Sequence, residues 1–89
     1  MRHASDEDLD QLEPLLDRLR DLPGLTERSR DAFYRRSRAY LHFHQNPAGF
    51  FADVRTQDAQ DFARHAVTSD DQQAALFEIV QRDVGAFPR

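Results

Sequence analysis

Eighty-nine residues with no cysteine and a net charge of −4 describe one small domain, residues 1–89, whose thin core has no disulfide or thiolate metal site to reinforce it. The acidic balance argues against a general nucleic-acid or anionic-membrane binder, and no apolar run approaches the length of a membrane span. Residues 1–10 lack the apolar stretch of a secretory signal, so a cytoplasmic location is expected.

The first element is a helix. Ser5 is its N-cap, followed by acidic residues that suit the positive end of the helix dipole. Leu9, Leu12, Leu15 or Leu16, and Leu19 recur at helical spacing. Pro14 lies inside that pattern and predicts a kink or break near Leu9–Asp10. Pro23-Gly24 ends the helix.

All twelve basic residues are arginine. Five of them (Arg28, Arg30, Arg35, Arg36, Arg38) crowd residues 25–38 against only Glu27 and Asp31. The segment is read as a solvated face that pairs with the acidic N-terminal helix. An anion or nucleic-acid contact through Arg28 to Arg38 is the alternative. Phe33, Ser37 and Tyr40 would share a face if the segment were helical. The preferred reading makes Ala32-Phe33-Tyr34 a short strand, residues 35–38 a turn, and Ala39 the start of the next strand.

From Ala39 the period is two. Ala39, Leu41 and Phe43 alternate with Tyr40, His42 and His44; Phe50, Ala52 and Val54 alternate with Phe51, Asp53 and Arg55. Asn46-Pro47-Ala48-Gly49 between them is a turn. Closing the hairpin there sets Leu41 opposite Val54, Phe43 opposite Ala52, His42 opposite Asp53 and Tyr40 opposite Arg55. Residues 56–61 read as a loop, Phe62–Val67 as a further strand, and His3 as part of a frayed terminus. Ser69 and Gln72 form a capping box for a last helix that buries Leu76, Ile79, Val80 and Val84, with Phe77 beside them, and stops at Gly85. The expected fold is α+β: an N-terminal helix or broken helix pair, an antiparallel meander of three or four strands, and a C-terminal helix.

The run F-Y-R-R-S-R-A-Y-L-H-F-H, followed by A-D-V-R, resembles a segment of small bacterial proteins that have no assigned function. The resemblance covers about a quarter of the chain. It implies no activity, cofactor or catalytic residue, and it supports Phe33-Tyr34 as a strand leading by a turn into the next.

Only the L-H-F-H segment suggests chemistry. His42 and His44 share a strand face, Asp53 lies across from His42, and His65 would join if its strand were adjacent. Two or three imidazoles with a carboxylate suit zinc or non-haem iron, which makes a small metal-dependent enzyme one reading. The simpler reading is a wet sheet face that alternates polar and core residues, with His42 hydrogen-bonded to Asp53 and no metal or other cofactor. Tyr40 and Phe51 on that face, beside His42, His44, Asp53 and Arg55, then suggest a surface that meets a second copy or other protein partner, a peptide or a ligand. The leading expectation is thus a non-enzymatic interaction module that self-associates through that face or through a sheet edge.

Overall fold

Apolar periodicity changes twice along the chain, and the elements change with it. The computed structural model describes residues 2–87, and of Arg2 and His3 it describes the backbone only. In chain order the elements are β1 (Arg2–His3), α1 (Asp6–Gln11), α2 (Glu13–Arg20), β2 (Thr26–Ser29), β3 (Ala32–Arg35), β4 (Arg38–Asn46), β5 (Gly49–Val54), β6 (Ala63–Ala66) and α3 (Asp70–Gly85). The fold is α+β. Strands β2-β3-β4-β5-β6 form an antiparallel meander, and β1 adds to β4. No described helix is long and apolar enough to cross a membrane.

The helix starts follow the expected capping chemistry. Asp8 N donates to Ser5 Oγ and Ser5 N to an Asp8 carboxylate oxygen, so two donors at the start of α1 are satisfied reciprocally. Ser69 and Gln72 do the same for α3. The break in the N-terminal helix falls at Leu12, later than the expected Leu9–Asp10. Pro14 sits in the first turn of α2, where its missing N–H would have had no helical partner anyway. The proline therefore starts the second helix instead of kinking the first.

One core joins the layers. Leu9, Leu12, Leu15, Leu16 and Leu19 from the N-terminal pair meet Leu76, Phe77, Val80 and Val84 of α3 over Leu41, Phe43, Ala52 and Val54 of the sheet. Phe43, Leu12, Leu16 and Val80 are fully buried. Ile79, expected in that core, is instead exposed: it lies on the α3 face turned away from the sheet.

The sheet is larger than expected because two short segments find open edges. β2 pairs with β3. β3 covers β4 only as far as His42, where Ala32 is the partner. Beyond that point the β4 edge offers unpaired backbone groups. β1 takes them, pairing Arg2 with Gln45 and His3 with His44, while Ala4 N donates to Phe43 O. His3 is therefore in a strand and not in a frayed end.

The β4–β5 hairpin has the expected register: Leu41 with Val54, His42 with Asp53, Phe43 with Ala52. Asn46 and Gly49 close it, and the Asn46 side chain accepts from Ala48 N at 2.8 Å. Tyr40 departs from the alternation. Phe33 pairs with Leu41 but Tyr34 pairs with Ala39, so Tyr40 is the extra residue of a bulge. The bulge turns its ring to the helix side, where it is 3% exposed. There its hydroxyl donates to Asp83 Oδ2 at 2.7 Å, and the ring meets Phe87 edge-on.

The arginine-rich segment pairs with the acidic helices in part. Arg30 bridges Asp6, Asp10 and Glu13. Arg20 of α2 holds Glu13, Asp17 and Glu27.

Candidate metal centre

Antiparallel pairing places three residues in a row across the outer face of the sheet: His42 of β4, Asp53 of β5 and Arg64 of β6. His44 and Phe51 form the next pair along the same face. Because residues two apart on a strand project side by side, His44 stands beside His42 and over the Asp53 carboxylate. His42 Nδ1 and His44 Nε2 face each other at 2.5 Å, and His44 Nε2 lies 3.4 Å from Asp53 Oδ2. One ligand atom from each of the three residues falls within 4.8 Å of the others.

The centre is sheltered although it lies on the face away from the helices. Asp53 is 7% exposed. The loop after β5 folds back so that the Phe62 ring packs 4.6 Å from the His42 ring, and the Arg55 guanidinium lies over the Phe62 ring. Arg64 grips the carboxylate at both oxygens, Nε to Oδ1 at 2.9 Å and Nη2 to Oδ2 at 3.0 Å. Those bonds hold the Asp53 carboxyl below its ordinary range, against the opposing effect of burial, and the two imidazoles act in the same direction.

Comparison with protein-family models, with curated proteins and with solved structures finds no match for this chain. The chemistry is therefore read from the side chains themselves. Two imidazole nitrogens and one carboxylate oxygen form a donor set that suits zinc or another divalent first-row ion. Ligand atoms around a tetrahedral zinc lie about 3.3 Å apart. The His44–Asp53 separation already has that value, and the two imidazoles need to part by less than about 1 Å to reach it.

The other residues named from sequence are placed as follows. His65 pairs with Ala52, so it lies on the helix side of the sheet and outside the centre. The neighbouring Val67 is fully buried in the core, and period-two alternation carries His65 to the same side. Tyr40 has left the outer face through its bulge. Phe51 stays on it, half-buried. Arg55 stays as well, with Nη2 donating to Ala39 O at 2.6 Å. Arg64 and Phe62 were not singled out from sequence. The same parity argument through Val67 would have placed Arg64 on the Asp53 side.

Proposed function

We propose that the protein is a small metal-binding domain whose His42, His44 and Asp53 side chains hold a divalent transition metal, zinc being the reference ion. The convergence of three ligand-type atoms within 4.8 Å on a sheltered sheet face carries this reading. Three protein donors leave a coordination position open, the pattern of sites that bind water or substrate at the metal instead of serving structure alone. A carboxylate keeps lone pairs beyond those given to one arginine, so Asp53 has donor capacity left. Metal binding would then either share Asp53 with Arg64 or displace Arg64, whose side chain is half exposed.

The self-association expected from sequence loses its main support. Of its two routes, the outer face and a sheet edge, the first rested on Tyr40 and Phe51 as exposed aromatics, but Tyr40 is buried and Phe51 half-buried. Among the described residues Ile79 is the one exposed large apolar side chain.

The test uses protein prepared without a histidine tag and stripped with a chelator. Zinc at about a hundred times its dissociation constant stabilises by roughly 2.7 kcal/mol, a rise in Tm of about 10–20 °C for a domain of this size. His42→Ala and His44→Ala are each expected to abolish that rise while the metal-free variants still fold. No bound metal and no zinc-dependent change in Tm would sink the proposal.

A further inference from the structure

Among the described residues the arginines divide sharply by partner. Arg20, Arg30 and Arg64 hold carboxylates. Arg18, Arg28 and Arg82 do not, and neither do Arg35, Arg36, Arg38 and Arg55. The last four surround one pocket of about 440 Å³ at the β3–β4 turn, and no described carboxylate forms an ion pair with any of them. Arg35 lies over the Phe87 ring, while Arg55 lies over Phe62 and donates to the Ala39 carbonyl. Such neutral partners orient a guanidinium without cancelling its charge. Arg36 and Arg38 are exposed.

The carboxylates nearest the pocket, Asp83 and Asp58, keep their charge but form no ion pair with these guanidiniums. Asp83 accepts from Tyr40 Oη and Gln57 N. Asp58 accepts from Thr56 Oγ1 at 2.8 Å. A protein of net charge −4 thus gathers four carboxylate-free arginines in one concavity. The backbone adds a second observation. Arg36 has φ 58°, and it is the one non-glycine described at positive φ. Glycine or asparagine would turn the chain there with less strain. A residue kept in such a conformation at the rim of a pocket is an observed outlier that points to function.

We propose that this pocket binds a small organic phosphate. The planar guanidinium fork matches phosphate oxygens in two-point contacts, and several such groups suit a dianion better than a single carboxylate. The Ser37 hydroxyl, which also lines the pocket, adds a neutral donor, whereas the Thr56 hydroxyl is committed to Asp58. The volume lies in the range of small-molecule sites and well above that of a bare phosphate ion, so the phosphate comes attached to an organic body. Ala39 and Ala59 supply the apolar wall for that body. The site adjoins the metal centre through Arg55, whose guanidinium also lies over Phe62, but its proposed ligand contacts need no metal.

Calorimetric titration of chelator-stripped protein tests the proposal independently of metal. The probes are adenosine 5′-monophosphate, ribose 5-phosphate, inorganic phosphate, adenosine, and a short single-stranded RNA. Saturable binding of the two monoesters but not of adenosine is expected. Arg38→Ala, at the exposed first residue of β4, and Arg36→Gly, at the exposed turn, should each weaken it by about tenfold or more, and Arg28→Ala, outside the pocket, should leave it unchanged. Failure of both monoesters to bind would overturn the proposal, as would equal binding of adenosine, or monoester affinity indifferent to Arg36→Gly and Arg38→Ala. Binding of RNA alone, falling steeply with salt, would replace it with a nucleic-acid surface.

Discussion

Arg64 of β6 lies directly across from Asp53 of β5 and holds both oxygens of its carboxylate, at 2.9 and 3.0 Å. The carboxylate is buried; the arginine is half exposed. Arg64 is thus the natural competitor of any metal at the centre. Arg64→Ala is expected to lower the Tm of the metal-free protein only modestly, because solvent screens the exposed partner. In the same variant zinc should bind more tightly, since it no longer shares Asp53 with a cation. Weaker zinc binding would mean that Arg64 orients Asp53 for the metal instead of opposing it.

Phe43 is fully buried where the hairpin meets the helices. Phe43→Ala is expected to destabilise by about 3–5 kcal/mol, a large part of the roughly 5–15 kcal/mol available to a domain. Urea denaturation followed by circular dichroism measures this. A midpoint unchanged from wild type would contradict the packing described.

Gly49 closes the β4–β5 hairpin at φ +138°, and a Cβ there would lie 2.2 Å from Thr68 Oγ1. That oxygen also accepts from Phe50 N. Gly49→Ala is expected to destabilise through both backbone strain and this overlap. Thr68→Ala in the same chain should recover the overlap but not the strain, so a double-mutant cycle should show partial, not full, rescue.

Tyr40 donates to Asp83 from a buried position, and burial first, then the Asp83 carboxylate, hold its phenol above the ordinary 10.0. A group whose folded pKa is raised stabilises the fold fully below its unfolded pKa and loses that contribution as pH rises past it. Tyr40→Phe should therefore reduce stability near neutral pH by about 1.5 kcal/mol, the value of a hydrogen bond to a charged group. The gap between wild type and variant should shrink above about pH 10 as the phenol of the unfolded wild-type chain ionises. Thermal melts across that range check both parts.

The hairpin that carries the centre was legible in the sequence. Two strands with matched period-two alternation, joined by Asn46-Pro47-Ala48-Gly49, admit one register that keeps Phe43 and Ala52 on the same face, and this register alone sets His42 against Asp53. The N-cap at Ser5 and the capping box at Ser69 were legible for the same reason: each depends on residues a few positions apart in the chain.

What remained hidden depends on contacts between distant segments. The bulge that buries Tyr40 inserts one residue into β4, and the pairing of its ring with Asp83 and Phe87 of the C-terminal region stabilises that insertion. Period-two counting from Ala39 could not see it. Neither could it place β1, which exists because β3 leaves part of the β4 edge open, nor the strand order that sets Arg64 beside Asp53. Local spacing settles which residues share a face within one strand or hairpin. Which faces then meet is settled by burial of the whole core, because only closure of the chain on itself brings those side chains within reach.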